Sequence, residues 1–407
     1  MIGFEQSEMR ALYDELVELV AQKSPTLAPD IFKVPVSEYT DPDRWEREVQ
    51  LLRTTPMMLA LSQELPEPGS YWALTRLGVP MLLVRQKSGD VRLFINACRH
   101  RGAIVVQEGQ GKKPRFTCVY HAWTYGLDGR LLALPSEGIF GEVEKADYGL
   151  TELAVEERDG LIWAMLTPDL PLNLDEFLGP EINALIPKFG FDRFHVVNLK
   201  EVPAANWKLA YEGYVETYHF PSLHAQSFGS FVIPGVLKIE DRGLHGELIS
   251  PVLGIDEQCD PESMDDLKLF VQRGVTFFPS TFMTCASVSA FSGGEKPEGF
   301  VALERMFMNQ ILPGNNPGES VTISRTVVSG PFKDTPMEED VLNWASSTHQ
   351  VVIDEDCPVV KSIQETVYSG AQEHFTFGRN ESAIHHFHRR LHTALGDKPL
   401  EGQLRNQ

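Results

Sequence analysis

Two short runs, whose cysteines lie 20 positions apart, constrain this chain more than any other feature. The first reads Cys98-Arg99-His100, and the second reads Cys118-Val119-Tyr120-His121. Each run offers one thiolate and one imidazole as metal ligands. Because two cysteines and two histidines suit zinc as well as iron–sulfur chemistry, the ligand types alone leave both metals open.

The distribution of the ligands favours an iron–sulfur cluster. Zinc fingers place a pair of cysteines before a pair of histidines, whereas each run here carries one of each. That pattern suits two adjacent irons, one held by thiolates and one by imidazoles, as in a Rieske [2Fe–2S] centre. The sequence therefore predicts a Rieske cluster, with structural zinc as the alternative. The predicted ligands are Cys98, His100, Cys118 and His121.

Composition excludes several classes of partner. The chain has 407 residues, of which 42% are hydrophobic, and this length allows two or three domains. A net charge of −21 argues against binding to nucleic acid or to anionic membranes. No apolar run approaches the roughly 18 residues of a membrane-spanning helix, and the N-terminus lacks a signal pattern. The expected location is cytoplasmic.

Sequence patterns divide the chain into three predicted segments. Residues 1–44 form an N-terminal helical arm, with an amphipathic helix over 5–22. Residues 45–165 show short alternating strands and turn signals, which predict an antiparallel β domain with both cysteine–histidine runs on its loops. Residues 166–407 mix strands with helices, and two helices near 337–368 and 380–396 close the chain. Strands grouped together and flanked by helices predict the α+β class.

A second ligand set lies in the segment 206–224. A helix is predicted near 204–218, where Glu216 and His219 would share a face. Pro221 should end that helix and bring His224 back towards His219. Two histidines that need one carboxylate suggest the facial triad of a non-haem iron site. The acidic run 354–356 offers three candidate carboxylates, and spacing alone does not choose among them.

Taken together, these motifs resemble the alpha subunits of the Rieske non-haem iron oxygenases, also called aromatic ring-hydroxylating oxygenases. The resemblance runs from about residue 45 to residue 395. It covers Cys-x-His-Arg-Gly, Cys-x-x-His-x-Trp, and an Asn-Trp-Lys helix followed by an acidic residue, Tyr-His and a second histidine. It implies an N-terminal antiparallel β Rieske domain and a C-terminal helix-grip (START-like) catalytic domain, 166–407, with a mononuclear non-haem Fe(II).

The resemblance also implies roles for three acidic residues. Family members place the iron-binding Asp about eight residues before a Gln, which favours Asp356, ahead of Gln364, over Asp354. A carboxylate just before the first iron histidine bridges to a cluster histidine of the neighbouring subunit, and Glu216 holds that place. The implied assembly is a head-to-tail homotrimer or a multiple of it. Its electron path runs from His121 to Glu216 of the next subunit.

The implied activity is that of the terminal component of a multicomponent oxygenase. It uses O₂ and electrons from a separate NAD(P)H-dependent reductase, a ferredoxin or both, and the sequence contains no flavin or nicotinamide fingerprint. The expected reaction is hydroxylation of a small, aromatic organic substrate. The substrate pocket is predicted beside the iron ligands, at Gly213, Tyr214 and Phe220.

Two alternatives remain open. Glu216 replaces the Asp of many dioxygenases, and some members that act on quaternary ammonium compounds also carry Glu there. A monooxygenase that hydroxylates or demethylates such a non-aromatic substrate is therefore the second interpretation. A zinc-stabilised binding module is the non-enzymatic alternative, but it leaves Glu216, His219 and His224 unexplained.

Overall fold

The computed structural model describes residues 3–227, 233–288 and 303–400. The chain divides into two compact units, one of residues 50–177 and one that combines 1–49 with 178–407. The helices are α1 (Gln6–Gln22), α2 (Pro42–Arg53), α3 (Glu137–Phe140), α4 (Leu174–Phe189, interrupted at Gly179), α5 (Trp207–Glu212), α6 (Phe220–Leu223), α7 (Met264–Phe270), α8 (Glu338–Val351), α9 (Cys357–Thr366) and α10 (Ser382–Leu395). The predicted helix over 5–22 is confirmed as α1.

The unit of residues 50–177 is built from short antiparallel strands. They are β2 (Met57–Leu61), β3 (Ser70–Arg76), β4 (Val79–Arg85), β5 (Val91–Ile95), β6 (Gly109–Lys112), β7 (Phe116–Thr117), β8 (Thr124–Tyr125), β9 (Leu131–Ala133), β10 (Glu152–Leu153), β11 (Val155–Arg158) and β12 (Leu161–Ala164), which follow β1 (Phe32–Pro35) in the chain. A five-stranded sheet has the order β10-β5-β4-β3-β6, and two three-stranded sheets have the orders β11-β12-β2 and β7-β8-β9. The first cysteine–histidine run follows β5, and the second connects β7 to β8.

The larger unit centres on a seven-stranded antiparallel sheet. Its strands are β13 (Phe194–Ala204), β14 (Lys238–Arg242), β15 (His245–Pro251), β16 (Val271–Phe277), β17 (Thr281–Val288), β18 (Leu303–Pro313) and β19 (Ser320–Ser329). Their order is β13-β19-β18-β17-β16-β15-β14. A two-stranded ribbon pairs β1 with β20 (His374–Phe377), so the N-terminal segment belongs to this unit. The predicted domain borders after residues 44 and 165 stay predictions.

A long helical segment, 338–366, packs against β13 and β19. It consists of α8, a π-helical turn (Val352–Asp356) and α9. Together with α10, it confirms the two helices predicted to close the chain. No helix in the described ranges has the length and apolar character that crossing a membrane requires.

A buried ion network fastens α2 to α5 in the larger unit. Lys208 Nζ donates to Glu48 Oε2 at 2.6 Å, and both side chains are almost fully inaccessible. Trp207 Nε1 donates to the same carboxylate at 2.7 Å, and Arg44 Nε donates to it at 3.0 Å. Because each buried charge has an opposite partner, the network is stable only while it is complete. It therefore fixes α5, from which the second ligand set continues.

We expect Glu48→Ala to lower the free energy of unfolding by about 3–5 kcal/mol, since it leaves the Lys208 ammonium buried without a counter-charge. Chemical denaturation followed by tryptophan fluorescence measures the change. Glu46→Ala is the matched control, because Glu46 lies exposed on the same helix. Its effect should stay within about 0.5 kcal/mol. Equal effects of the two variants would contradict a structural role for the network.

Candidate metal centres

The two cysteine–histidine runs form similar loops, which we call the first arm (98–102) and the second arm (118–122). Each arm closes on itself, because the amide of its fifth residue donates to the carbonyl of its cysteine, at 2.8 Å in the first arm and 3.0 Å in the second. The fifth residue has a positive φ in both arms, +76° at Gly102 and +56° at Ala122. Because the two arms share this conformation, they are suited to bind one group between them.

The thiol end of the site is buried. Cys98 is 3% exposed and Cys118 is 2% exposed, and both belong to the hydrophobic core of this unit. Cys98 Sγ also lies 3.3 Å from the Tyr125 hydroxyl. Burial raises the pKa of Cys118, while the amide of Tyr120 opposes that shift. A bound metal deprotonates such a thiol outright, so this end suits a cationic iron pair.

The imidazole end faces outwards. The rings of His100 and His121 lie 4.6 Å apart between centroids, and His121 is exposed. Trp123 stacks on His100 at 5.0 Å with an interplanar angle of 10°, which fixes that ring. Tyr120, also exposed, covers His121 at 3.7 Å. The four side chains therefore fit a group whose thiolate side is buried and whose histidine side approaches solvent, as a Rieske cluster requires.

A single zinc ion fits these four residues less well. Donor atoms that share one small ion lie within about 4 Å of one another. Among the described residues, the only set of three or more histidine, cysteine or carboxylate groups that meets a comparable criterion, 4.8 Å, is His219, His224 and Asp356. The donors of the two arms form no such set, which favours two metals over one.

The segment that carries the second ligand set departs from the predicted helix over 204–218. Helix α5 begins after Asn206, whose side chain caps the amide of Lys208 at 2.9 Å, and it ends at Glu212. Residues 213–219 are turns, and Pro221 lies in the first turn of α6 instead of ending a helix. Both expectations were wrong. Gly213 and the β-branched residues that follow it have low helix propensity, so the first helix ends early. Proline is favoured at the start of a helix, which is where Pro221 lies.

Glu216 and His219 still meet, but through a turn. The Glu216 carboxylate accepts the amide of His219 at 3.2 Å, as well as the amide of Tyr218. Its other oxygen contacts His219 Nδ1. The carboxylate thus caps the turn and holds the imidazole at the same time.

Three donors converge at this point. Asp356 Oδ1 lies 3.2 Å from His224 Nε2 and 3.6 Å from His219 Nε2. Ligands of one ion with right angles between them are separated by about 3 Å. Asp356 Oδ2 is buried and has no hydrogen-bond partner, and burial raises the pKa of Asp356. A carboxylate oxygen that is buried without a partner is suited to bind a cation, so the three residues fit a mononuclear metal.

Each histidine is backed by a second carboxylate. His219 Nδ1 faces Glu216, and His224 Nδ1 lies 2.7 Å from Glu355 Oε2. A carboxylate on Nδ1 holds the proton there and leaves Nε2 free for the metal, an arrangement common in metal sites. Burial lowers the pKa of His219, but Glu216, Asp356 and Glu381 together outweigh burial and raise the pKa. Glu355 is one of the three carboxylates that the sequence offered for the third ligand, but its contact with His224 Nδ1 gives it a supporting role that the sequence did not predict.

The π-helical turn explains how the acidic run 354–356 supplies both a metal donor and a carboxylate that backs a histidine. Pro358 has no amide hydrogen and cannot donate to the carbonyl of residue 354, so a regular α-helix is interrupted there. The wider turn places Glu355 and Asp356 on the side of the histidines. Asp354 is exposed and accepts from Gln350 at 2.8 Å. π-turns of this kind are frequent at functional sites.

We expect Asp356→Asn to weaken iron binding by at least roughly 10–100-fold, because it removes the one carboxylate among the three donors. Asp354→Asn is the matched control and should retain its iron. Metal analysis after desalting measures both variants. Loss of iron from the Asp354 variant, with iron retained in the Asp356 variant, would reverse the assignment.

A cavity lined mainly by apolar side chains lies beside Asp356. Gly213 and Tyr214, two of the predicted pocket residues, line it. The other lining residues are Val202, Ala204, Ala210, Thr322, Val352, Cys357 and Val360. Phe220 is not among the lining residues; its ring packs against His219 and His224, with centroids 4.9 and 5.1 Å away.

Comparison with known proteins finds family matches in two segments of the chain. Residues 55–144 match the model of the Rieske [2Fe-2S] domain, and residues 191–267 match the ring hydroxylating alpha subunit (catalytic domain). Biphenyl 2,3-dioxygenase subunit alpha of Rhodococcus jostii is 31% identical over 220 residues, 50% of this chain and 44% of the relative. The glycine betaine monooxygenase oxygenase subunit of Pseudomonas aeruginosa is 29% identical over 238 residues, 58% and 50% of the two chains. The matched region thus spans about half the length of these relatives.

Solved structures share the fold over almost the whole chain. A quaternary ammonium Rieske monooxygenase superposes with a TM-score of 0.73 at 20% identity, over 92% of this chain and 97% of the other. Naphthalene 1,2-dioxygenase from Rhodococcus sp. gives 0.68 at 19% identity, over 96% and 99%. The predicted α+β fold, a β Rieske domain followed by a helix-grip catalytic domain, is confirmed. The two predicted cofactors are confirmed at the level of the domains, and the residues assigned to hold them stay predictions, which the geometry supports.

Proposed function

Because this chain joins a Rieske [2Fe-2S] domain to the catalytic domain of a ring-hydroxylating alpha subunit, we propose that it is the terminal oxygenase component of a multicomponent Rieske oxygenase. It would use O₂ and electrons from a separate reductase or ferredoxin to hydroxylate a small aromatic substrate. One observation carries the proposal: a single chain contains the two matched arms and also the convergent donors of His219, His224 and Asp356. An electron carrier needs only the first set, and a zinc module explains only the first set.

The two cofactors divide the chemistry between them. When bound, the cluster stores one electron, and the non-haem iron provides open positions where O₂ is activated. The protein side chains position these groups. Glu216 and Glu355 hold the protons on Nδ1 of the two histidines, and Asp356 supplies the negative charge that favours a ferrous ion. The cavity beside Asp356 orients the substrate and excludes water from it.

Assembly is part of the proposal. His121 is exposed at the outer end of its arm, and Glu216 lies directly behind His219. Contact between His121 of one copy and Glu216 of the next would join the two metal centres of different subunits. A head-to-tail contact of this kind closes into a ring, which supports a homotrimer or a multiple of it. A cytoplasmic location belongs to the same proposal.

The cavity supports an uncharged aromatic substrate. Among the lining residues that the structure describes there is no Lys, Arg, Asn or Gln side chain, and the only ionised carboxylate is the metal ligand Asp356. A substrate carboxylate would be buried there without a cationic side chain as partner, at a cost of several kcal/mol. The small side chains of Ala204, Ala210 and Gly213 leave room for a flat ring.

A quaternary ammonium substrate is the second candidate. Two observations favour it: Glu216 at the bridging position, and the similarity to the glycine betaine monooxygenase subunit. Recognition of such a cation needs several aromatic faces or a free carboxylate. In the described lining, Tyr214 is the single aromatic residue, which favours the aromatic substrate over the cation.

Substitution of Gly213 tests the pocket assignment. Gly213 has a φ of −63°, and an added Cβ would meet only the Ala210 carbonyl, at 3.9 Å. Gly213→Ala should therefore fold normally and change kcat/KM little, whereas Gly213→Phe should fill the cavity and lower kcat/KM for a bicyclic aromatic substrate by about tenfold or more. Steady-state oxygen uptake measures both. Unchanged kinetics in a folded Gly213→Phe variant would remove this cavity from the substrate path.

Turnover with a substrate panel tests the function itself. Oxygen uptake and product analysis would use the purified chain with a reductase and a ferredoxin, and would compare naphthalene, benzoate and glycine betaine. We expect hydroxylated naphthalene and little product from the two charged compounds. Product from glycine betaine alone would favour the second candidate. Absence of substrate-dependent oxygen uptake across a broad panel, with both metals present, would contradict an oxygenase.

A further inference from the structure

A buried carboxyl group precedes the second ligand set and has no cation bound to it among the described residues. Glu212 ends α5, four positions before Glu216, and is 7% exposed. Its Oε1 accepts from the Tyr39 hydroxyl at 2.6 Å and from His388 Nε2 at 2.9 Å. Its Oε2 has no hydrogen-bond partner in the described part of the chain. We call Tyr39, Glu212 and His388 the Glu212 cluster.

Both donors to Glu212 are neutral at neutral pH. Burial raises the pKa of Tyr39 well above its ordinary value, and burial lowers the pKa of His388 to about 3. Because His388 Nε2 faces Glu212, the single proton of that ring is assigned to Nε2, and Nδ1 is buried without a partner. Lys208, the one cation that lowers the pKa of Glu212, donates to both oxygens of Glu48.

These surroundings favour the neutral form of Glu212, because a buried charge without a counter-ion is costly. Burial raises the pKa of Glu212 to about 8; Tyr39 and Lys208 oppose the shift, and Glu38 adds to it. β18, β19 and α9 also contact α5, but no ionisable group described on them shifts that pKa. The hydrogen bonds agree with a neutral acid, since Oε1 serves as the carbonyl acceptor and Oε2 is left to carry the proton.

A second carboxyl group couples the Glu212 cluster to the metal site. Glu381 precedes α10 and accepts the amide of Gly378 at 2.6 Å. Burial raises the pKa of Glu381 to about 7; the Gly378 amide opposes the shift, Glu216 and Glu212 add to it, and His219 opposes it. Glu381 is therefore within electrostatic range of both the Glu212 cluster and the proposed iron ligand His219.

We propose that Glu212 is a protonated carboxylic acid at neutral pH and supplies a proton for the reduction of O₂ at the metal site, through Glu381. The proton supply rests on the proposed function, whereas the protonated state does not. Hydroxylation of a C–H bond consumes protons together with electrons: R–H + O₂ + 2 e⁻ + 2 H⁺ → R–OH + H₂O. The redox partner supplies the electrons. Both protons come from solvent, and Glu212 holds one of them on Oε2 before the reaction begins.

Infrared spectroscopy of the purified, metal-containing protein tests the protonated state without turnover. A protonated carboxyl group has a C=O band that is separate from the carboxylate bands and moves to lower frequency in D₂O. Glu212→Gln should remove one such band at neutral pH and should still fold, because the amide keeps an acceptor for Tyr39 and His388. Tyr39→Phe should move the band to higher frequency, since the carbonyl oxygen loses a hydrogen bond. Glu46→Gln, at an exposed position, is the control and should leave the band unchanged.

Steady-state oxygen uptake tests the proton supply. We expect the kcat of the wild-type protein to fall as pH rises through about 8, because Glu212 ionises in that range. Glu212→Gln should lower kcat at neutral pH by about tenfold or more and should lose this decline. Glu46→Gln should keep both the rate and its pH profile. Metal analysis verifies that every variant retains its iron.

The possible outcomes separate the two parts of the proposal. Identical infrared spectra of wild-type and Glu212→Gln protein would overturn the protonated state of Glu212, and the proton supply with it. A Glu212→Gln variant that keeps the wild-type pH profile, whatever its rate, would overturn the proton supply and make Glu212 a structural residue. Wild-type protein that shows the band but no substrate-dependent oxygen uptake would contradict the proposed function instead.

Discussion

His219→Ala is expected to abolish product formation while the spectrum of the reduced cluster stays intact. The imidazole contributes one of three donors that meet within 4.8 Å, and His224 is the only other histidine of the described residues in that set. Without it, the ferrous ion loses a neutral nitrogen ligand, and the site loses the several kcal/mol that metal activation supplies. That loss corresponds to a decrease in the turnover rate of about 10³-fold or more. Turnover assays and the reduced-state EPR spectrum measure the two effects.

Two further variants make this result interpretable. His219→Asn keeps a polar side chain of similar length and should be equally inactive. His374→Ala changes a histidine on β20, outside both ligand sets, and should remain active. Loss of the Rieske signal in the His219 variants would mean that the two ligand sets are assigned wrongly. Substantial turnover by folded, iron-containing His219→Ala protein would exclude His219 as a ligand.

Glu216→Gln is expected to retain both metals and to slow turnover by roughly 10–100-fold, as changes to carboxylates behind metal ligands do. The amide oxygen still accepts from the backbone of the turn, so the local fold should persist. The negative charge behind His219 Nδ1 is lost, and so is the charged contact proposed for His121 of the neighbouring copy. Single-turnover oxidation of the pre-reduced cluster, with substrate and O₂ present, isolates this step.

Glu355→Gln is the matched control for the bridge. Glu355 backs His224 as Glu216 backs His219, but only Glu216 is proposed to contact a second subunit. Both variants should retain their iron, because each keeps the three donors of the metal site. Oxidation of the cluster should be slower in the Glu216 variant than in the Glu355 variant. Equal rates of cluster oxidation in the two variants would mean that Glu216 only orients His219.

Local spacing in the sequence indicated the two cysteine–histidine arms and the two histidines of the second ligand set, and the geometry supports these predictions. Cys98 and Cys118 lie in the core with their arms closed by matching hydrogen bonds. The helical segment 338–366 followed from its apolar periodicity, and Asp356 followed from the family resemblance, not from spacing. Asp356 is the acidic residue that contacts both histidines.

Features that depend on distant parts of the chain could not be predicted. The pairing of β1 with β20 joins residues more than 300 positions apart, and no local pattern indicates it. The prediction of a helix over 204–218 was wrong because the Glu216 carboxylate caps a turn. Sequence periodicity does not distinguish a capped turn from the face of a helix. The role of Glu355 depends on the π-turn before Pro358, which alters the direction of one acidic residue relative to the next.

Mössbauer spectroscopy of ⁵⁷Fe-enriched, anaerobically purified protein tests the central claim most directly. Two iron sites in one chain predict about three irons and about two inorganic sulfides per chain, with one spectrum from the cluster pair and a separate high-spin ferrous spectrum. The ferrous component should disappear in Asp356→Asn, while the cluster component remains. A colourless protein that contains zinc and neither iron spectrum would contradict the assignment of both sites.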